Sequence, residues 1–327
     1  MNPLVPPPEA LLDALRARRS FCVVGHVRPD GDCIGSQLAL AHALKAQGKR
    51  VTVWNADPVP AKLAFLDPEG WLRPPAPRRR FDCVVAADAA GLDRLGAVAE
   101  HLGRRRLLLN LDHHASNTRF GDVNWVDPAS PSTGELVHRL LRALDWEITP
   151  AMADCLFVAV STDTGSFQYD SVRPETFEVA ADLVRRGAAV GELCRRLYQS
   201  QSRARVELLR RVYRHFKLSA DGRVAWFWLR AADLAATGAD RSDTEGLIDH
   251  IRSIDSVVVA CVFEEVEPGV VRISLRSKSP AVDVNRVAAQ FGGGGHPAAA
   301  GARLTGSPAA VQRRVLSALR KSLNSSA

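Results

Sequence analysis

The sequence predicts an α/β protein of two domains, an N-terminal doubly wound and mainly parallel sheet and a smaller C-terminal α/β domain, joined by a helical linker. Three observations predict this fold. The chain has 327 residues, which exceeds the usual span of a single hydrophobic core. In the first half, apolar runs of strand length alternate with segments of helical spacing. The second half offers two hairpin-like strand pairs followed by helical segments.

The first domain begins with a continuous apolar run, FCVVGHV, which is typical of a strand buried on both faces. The next segment has helical spacing and ends at Gly48. The same alternation then continues along the domain. We expect strands at Phe21–Val27, Arg50–Trp54, Phe81–Asp88 and Arg106–Asp112, and helices at Ile34–Gln47, Gly91–His101, Thr133–Leu144 and Pro150–Ser161.

An almost entirely helical stretch from Pro174 to Phe216 predicts the connection between the domains. Beyond it, the strand pairs surround a DG turn and a PG turn. Helices at Val282–Gln290 and Pro308–Leu323 complete an α/β unit. We therefore expect an N-terminal domain at 1–188, a helical linker at 189–216 and a C-terminal domain at 217–327.

Composition narrows the classes of partner. The net charge of +7 and the pI of about 9.4 favour anionic partners such as nucleotides and nucleic acid. No apolar run approaches the roughly 20 residues needed to cross a bilayer, and the N-terminal segment lacks the pattern of a secretory signal. The six cysteines form no CxxC pair, which indicates buried, reduced thiols. We expect a cytoplasmic protein without a membrane partner.

Clusters of aspartate and histidine follow four apolar segments. They are His26, Asp30 and Asp32 in GHVRPDGDCIGS, Asp88 in VVAADAA, Asp112, His113 and His114 in LLLNLDHH, and Asp163 in AVSTDTGSF. The first three follow predicted strands, and parallel strands bring their carboxyl ends to one sheet edge, where α/β proteins bind ligands. Each cluster also has a structural explanation, such as Asp32 as a helix N-cap or a turn at Asp163. Together in this order, they favour a site.

The types of side chain in these clusters point to metal chemistry. Carboxylate oxygens and imidazole nitrogens suit hard or borderline divalent cations. They are too many for one closed tetrahedral zinc site, so a pair of ions, typically about 3.5–4 Å apart, uses them better. Such a pair supports in-line attack of water on phosphorus. The pattern predicts a metal-dependent phosphoesterase. A basic nucleotide- or RNA-binding protein without catalysis is the alternative, but it has no need of an open dinuclear site.

A glycine-rich run, GGGGHPAAAG, lies in the second domain downstream of SLRSK. Glycines such as Gly294 and Gly295 allow backbone N–H groups to approach an anion closely. Arg276 is able to contact a phosphate with two hydrogen bonds, and His296 lies within the run. A flexible hairpin loop and a surface arginine at a strand end are the alternative explanations. Taken together, the residues favour phosphate or nucleotide binding.

These motifs resemble those of a known family. GHVRPDGDCIGS, the lone Asp88, LDHH and TDTGSF resemble the successive motifs of the DHH phosphoesterase superfamily. SLRSK and GGGGHPAAAG resemble the signature of its DHH-associated C-terminal domain. The resemblance covers nearly the whole chain, with several specific motifs in the expected order. It implies the two-domain fold that the strand and helix patterns predict.

The resemblance also implies roles for individual residues. It implies that His26, Asp30 and Asp88 hold one metal ion, and that Asp32, Asp88, His113 and Asp163 hold the other. Asp88 would bridge the two, Asp112 would orient a neighbouring ligand, and His114 would face the substrate phosphate. Arg276 and His296, with the glycines at 294 and 295, would bind substrate. Manganese is the usual ion of such relatives, although the ligand types also accept Mg²⁺ or Co²⁺.

Length and domain content narrow the function that the resemblance implies. The chain has no room for the further domains of RecJ-like exonucleases, and it lacks the Arg-Lys-Lys signature of family II inorganic pyrophosphatases. It resembles the compact NrnA-type members, which degrade short RNA to mononucleotides and in many cases dephosphorylate adenosine 3′,5′-bisphosphate (pAp). A two-metal hydroxide attack is expected. A soluble phosphodiesterase for cyclic di-AMP and its product pApA is the alternative, and a homodimer is compatible with the resemblance.

Overall fold

The computed structural model describes residues 3–77 and 79–324 and contains two compact units, Met1–Ser200 and Gln201–Ala327. The segment 189–216, expected as a linker, contains two helices. Helix α6 (Val190–Tyr198) belongs to the first unit, and helix α7 (Arg203–His215) belongs to the second. In the described part of the chain, no helix combines the length and apolar character that crossing a bilayer requires.

The first unit is built on a six-stranded parallel sheet, which confirms the predicted fold class. Its strands are β1 (Ser20–Val24), β2 (Arg50–Trp54), β3 (Leu72–Arg73), β4 (Cys83–Ala87), β5 (Leu108–Asp112) and β6 (Val123–Val126), in the spatial order β3-β2-β1-β4-β5-β6. All of their described pairings are parallel. The order reverses at β1, and this is where doubly wound sheets form their ligand crevice.

Alternate residues of β1 enter two different cores. Phe21 and Val23 pack with one cluster of buried side chains, and Cys22 and Val24 pack with another on the opposite face. The first core is covered by α1 (Glu9–Ala17), α2 (Gly31–Ala46), α3 (Thr133–Ala143) and α4 (Pro150–Asp163), with α5 (Pro174–Arg185) at its margin. The strands are thus buried on both faces, which explains their unbroken apolar runs.

Two local details differ from the simplest interpretation of the sequence. The helix expected at Gly91–His101 is a 3₁₀ segment, Leu92–Arg104, interrupted at Gly96 (φ 54°, ψ −137°). This glycine lies so close to Val27 that a Cβ atom there would meet its side chain at 2.4 Å. The N-cap of α2 is Asp30 and not Asp32, since its side chain accepts hydrogen bonds from the backbone N–H groups of Asp32 and Cys33.

The second unit contains a six-stranded sheet of mixed direction. Its strands are β7 (Lys217–Leu218), β8 (Val224–Leu229), β9 (Val259–Glu267), β10 (Val270–Ser277), β11 (Gly294–His296) and β12 (Ala299–Thr305), in the order β11-β12-β10-β9-β8-β7. The β8–β9 pair is parallel and the others are antiparallel. The expected DG and PG turns connect β7 to β8 and β9 to β10.

Helices cover the two faces of this sheet unequally. Helices α10 (Val284–Ala289) and α11 (Pro308–Asn324) bury alternate residues of β10 and β12 on one face. On the other face, α7 and α9 (Leu247–Arg252) pack on β8 and β9. Helix α8 (Ala231–Thr237) completes the unit. The residues of β10 and β12 that point to the α7 side remain partly or fully exposed.

Candidate active site

Three neighbouring strands deliver most of the predicted ligands to one sheet edge. His26 lies two residues after β1, Asp88 directly follows β4, and Asp112 is the last residue of β5, with His113 next to it. Strands β1, β4 and β5 are adjacent in the sheet, so their carboxyl ends meet. The expectation that these three clusters share one edge is confirmed.

Two helices add the remaining carboxylates at the same edge. Helix α2 begins there, with Asp30 as its N-cap and Asp32 in its first turn, and helix α4 ends there with Asp163. The two helices approach closely because glycines face the contact. A Cβ atom at Gly35 would lie 2.3 Å from the Cys155 carbonyl oxygen, and one at Gly31 would lie 2.4 Å from Thr162 Oγ1. This packing places Asp163 beside the start of α2.

Asp88 lies at the centre of the cluster. Its Oδ2 is 3.3 Å from His26 Nε2, and its Oδ1 is 3.6 Å from His113 Nε2. The Nδ1 of His26 is 2.8 Å from the carbonyl oxygen of Val27, which leaves Nε2 to face the carboxylate. The backbone of Asp88 is left-handed, with φ 59°. A residue other than glycine rarely adopts this conformation, and where it does so at a site the strain often serves function.

His113 connects Asp88 to the other side of the cluster. Its Nε2 lies 3.2 Å from Asp163 Oδ2 and 3.9 Å from Asp32 Oδ2. On the opposite side, His26 Nε2 lies 3.8 Å from Asp30 Oδ1. The structure therefore brings all six predicted metal ligands into one cluster, with the Asp88 carboxylate between the two imidazoles.

The residues that hold Asp32 were missed in the sequence. The start of α3 holds its carboxylate, because the N–H groups of Thr133 and Gly134 donate to its two oxygens at 2.7 and 2.8 Å. Thr133 Oγ1 also donates to Asp88 at 3.0 Å. The free N–H groups of a helix N-terminus suit a buried carboxylate. The sequence signal was the STGE segment at residues 132–135, an S-x-x-E pattern before an apolar run.

The carboxylates repel one another in this buried place. Burial raises the pKa of Asp32 well above its ordinary value, and the charges of Asp88 and Asp163 raise it further. The pKa of Asp163 is raised to about 7, mainly by burial. Burial also acts to raise the pKa of Asp88, but its interactions with His26 and His113 lower that pKa below its ordinary value. Such a cluster of negative charge favours a bound cation.

His114 belongs to a separate hydrogen-bonded chain. Its Nδ1 lies 2.8 Å from Asp112 Oδ1, and Asn117 Nδ2 donates to Asp112 Oδ2 at 2.6 Å. Burial acts against the charged imidazole, but the hydrogen bond to Asp112 and nearby negative charge raise the pKa of His114 to about 9. The ring is thus held with Nε2 directed away from Asp112. Asn117, five residues after Asp112, was not among the predicted residues.

Cys33 lies unexpectedly close to the cluster. Its Sγ falls in a group with ligand atoms of His26 and Asp88 that all lie within 4.8 Å of one another. Burial raises the pKa of this thiol to about 11, so it stays protonated at neutral pH. Its Sγ donates a hydrogen bond to Gln37 Oε1, which is itself buried.

The predicted substrate-binding residues lie together on one sheet of the second unit. Arg276 and His296 are each paired with Ala299 of β12, so they stand in one row across three strands. The glycine-rich run forms the paired hairpin β11–β12 and not a loose loop. Glycine is required at Gly295, which has φ 151° and lies so close to β12 that a Cβ atom would meet the Ala299 oxygen at 2.4 Å.

The donor set of the first unit fits divalent cations. Carboxylate oxygens and imidazole nitrogens converge there, and groups of three ligand atoms lie within 4.8 Å of one another around Asp88, His113 and Asp163. The two oxygens of Asp88 face different imidazoles, which is the arrangement that a bridging carboxylate needs. Chemically, the site is suited to hold positive charge beside a phosphoryl group.

Comparison with known proteins agrees with this chemistry. Residues 20–160 match the DHH family, N-terminal domain, and residues 227–325 match the DHHA1 domain. The bifunctional oligoribonuclease and PAP phosphatase NrnA of Thermus thermophilus is 34% identical over 311 residues, which cover 92% of this chain and 89% of the relative.

Two solved structures share the fold. An exopolyphosphatase-related protein from Bacteroides fragilis has a TM-score of 0.89 at 27% identity, with 98% of each chain covered. The exonuclease RecJ bound to manganese has a TM-score of 0.50 at 18% identity, covering 98% of this chain and 95% of that one. The two matched domains and the relative that is 34% identical along nearly the whole chain establish that this protein belongs to the DHH family of phosphoesterases, and it is a hydrolase of phosphodiester bonds.

Proposed function

We propose that this enzyme degrades short oligoribonucleotides to mononucleotides and also removes a phosphate from pAp. The observation that carries the proposal is the central Asp88 carboxylate, whose two oxygens face His26 and His113 within a cluster of four carboxylates. The relative from Thermus thermophilus, named a bifunctional oligoribonuclease and PAP phosphatase, supports this choice of substrates.

Two divalent cations, with manganese as the first choice and Mg²⁺ or Co²⁺ as substitutes, would be held by the clustered ligands. His26, Asp30 and Asp88 would hold one ion. Asp32, Asp88, His113 and Asp163 would hold the other. When bound, such a pair lowers the pKa of water and neutralises phosphoryl oxygens. The pairing of Asp32 with the N–H groups of Thr133 and Gly134 fixes one carboxylate before any ion arrives.

His114 would act as the proton donor to the leaving oxygen. Its raised pKa, about 9, keeps it protonated at neutral pH, and Asp112 fixes the orientation of the ring. Asp112 is fully buried and is held in turn by Asn117. Arg276 and His296 would bind a substrate phosphate or terminal nucleotide, with the backbone of Gly294 and Gly295 beside them.

The role of His114 is tested by changing the leaving group. We expect His114→Gln to lower kcat for oligonucleotide cleavage by roughly 10²-fold, as for the loss of a general acid. The deficit should shrink for an aryl phosphodiester such as bis(p-nitrophenyl) phosphate, because nitrophenolate leaves without a proton. An equal deficit for both substrates would remove His114 from proton transfer and leave it a binding role.

The substrate proposal is tested by product analysis. The manganese-loaded enzyme is incubated in parallel with a five-nucleotide RNA, pAp and cyclic di-AMP, with Asp88→Asn as the inactive control. We expect stepwise release of mononucleotides from the RNA and conversion of pAp to AMP. Rapid hydrolysis of cyclic di-AMP with slow RNA cleavage would contradict the proposal and assign the enzyme to cyclic dinucleotide turnover.

A further inference from the structure

The exposed face of the second unit's sheet carries more positive charge than the predicted row of Arg276 and His296. Register partners on neighbouring strands share a face, so successive pairs on β10 and β12 define rows across it. The row of Arg276 and Ala299 is followed by Ser274 with Gly301, and then by Arg272 with Arg303. A second basic row therefore lies on the same face, four residues along β10.

Arg272 and Arg303 stand directly opposite each other on antiparallel strands. Like charges in this position destabilise a sheet, so the pair has no obvious folding role. Glu264, the register partner of Arg272 on β9, forms an ion pair with it. Arg303 is exposed, and within the described part of the chain it has no ion-pair partner. One positive charge of the row is thus neutralised and the other is available to an anion.

Only small residues lie on the surface between the two basic rows. Ser274 and Gly301 occupy it on β10 and β12, and Gly294 extends it on β11 as the partner of Gly301. Gly294 is not forced by packing, since a Cβ atom there would meet nothing closer than Asn285 Oδ1 at 3.6 Å. A glycine without a folding reason, between two rows of basic residues, keeps the surface open to a ligand.

We propose that Arg303, held beside Arg272, binds a second phosphate of an oligonucleotide whose terminal part lies on Arg276 and His296. The proposal rests on the proposed function. It specifies the group that the exposed face recognises, which is the phosphodiester backbone over several nucleotides. Four residues of strand separate the rows by about 13 Å. This distance exceeds the interval across one sugar that separates the two phosphates of pAp. Arg303 therefore favours oligonucleotides over pAp.

The test is the dependence of binding on substrate length. Fluorescence anisotropy measures the Kd of labelled two- and five-nucleotide RNAs for the full-length Asp88→Asn enzyme with manganese, with and without Arg303→Ala. We expect the parent to bind the longer RNA more tightly. Arg303→Ala should weaken binding of the five-nucleotide RNA by about five- to tenfold. It should also reduce the slope of log Kd against log salt concentration by about 0.7, as for one lost phosphate contact. Binding of the two-nucleotide RNA should change less, and Arg303→Glu should have a larger effect.

The matched control is Arg320→Ala. Arg320 is an exposed arginine on α11, the helix that covers the opposite face of the sheet. Its substitution by alanine therefore removes one positive charge from outside the proposed binding face. Equal effects of Arg303→Ala and Arg320→Ala, or equal effects of Arg303→Ala on both RNA lengths, would overturn the proposal. If the wild-type enzyme cleaves RNA but Arg303→Ala binds both RNAs normally, only this inference fails. If RNA is bound as expected but never cleaved, only the proposed function fails.

Discussion

The cluster around Asp88 and the exposed face around Arg276 gather opposite charges in opposite surroundings. The cluster is largely buried, although Asp30 is exposed, and its carboxylates and imidazoles converge from three strand ends and two helix ends. The face is open and basic, and its residues are spaced by the register of neighbouring strands. Repulsion between the carboxylates of the cluster favours a bound cation, whereas the positive charges of the face favour an anion. The proposed function places chemistry in the first unit and recognition in the second.

The largest effect is expected when the cluster loses its central charge. Asp88→Asn keeps the side-chain shape and the hydrogen bond from Thr133 but removes the carboxylate that both imidazoles face. We expect kcat to fall by roughly 10³-fold or more for RNA and pAp alike. Steady-state rates measure this, with the exposed Asp13→Asn as the control. A loss confined to one substrate would mean that the cluster also takes part in recognition.

A smaller effect is expected on the face. Arg276→Ala removes a cation that stands in one row with His296, so substrate binding should weaken while the clustered ligands stay intact. We expect kcat/KM to fall by about 10- to 100-fold, mostly through KM. Initial rates over a range of RNA concentrations separate the two constants, and Arg320→Ala serves again as the control. A fall in kcat alone would show that Arg276 takes part in the chemical step and not only in substrate binding.

The smallest expected effect is on stability in the absence of metal. The folded-state pKa of Asp163 is about 7 and that of His114 about 9, both above their unfolded values. Each group therefore stabilises the fold at low pH and loses that contribution as the pH rises through its folded pKa. Between pH 6 and 9, the apparent Tm of chelator-treated protein should fall by about 3–5 °C. Differential scanning calorimetry measures this.

The same measurement with manganese sharpens the comparison. A bound cation should keep the carboxylates ionised, so saturating manganese should flatten the pH dependence and raise the Tm. Asp163→Asn without metal should show a weaker pH dependence than the wild-type protein. A Tm of the metal-free protein that rises from pH 6 to 9 would contradict the raised pKa values.

The two regions were predictable from the sequence to different degrees. The cluster is set by topology, because His26, Asp88 and Asp112 each lie at or just after the end of an apolar run, and parallel strands carry such ends to one edge. The partners Thr133 and Gly134 were missed because they do not lie at the end of a predicted strand. Local sequence also did not distinguish Asp30 from Asp32 as the cap of α2, since both suit an N-cap.

The basic row on the exposed face was not predictable from spacing. A regular hairpin from the Val270–Glu267 pair would place Val271 opposite residue 266, but an irregularity shifts it to Glu265 and places Arg272 opposite Glu264. Arg303 reaches the same row only through the pairing of β10 with β12. Register across three strands depends on packing between distant segments, and no local pattern in the sequence encodes it.

Because of the left-handed backbone at Asp88, a single substitution there should give an inactive protein that still folds and binds substrate. Asparagine and glycine adopt this conformation more readily than aspartate does, so replacing the residue removes charge repulsion without forcing the chain to move. The side chain that activity requires at this position is thus not the one that the backbone conformation favours. An inactive protein made by Asp88→Asn should keep its fold and its basic face, and it would hold an intact oligonucleotide long enough for crystallisation.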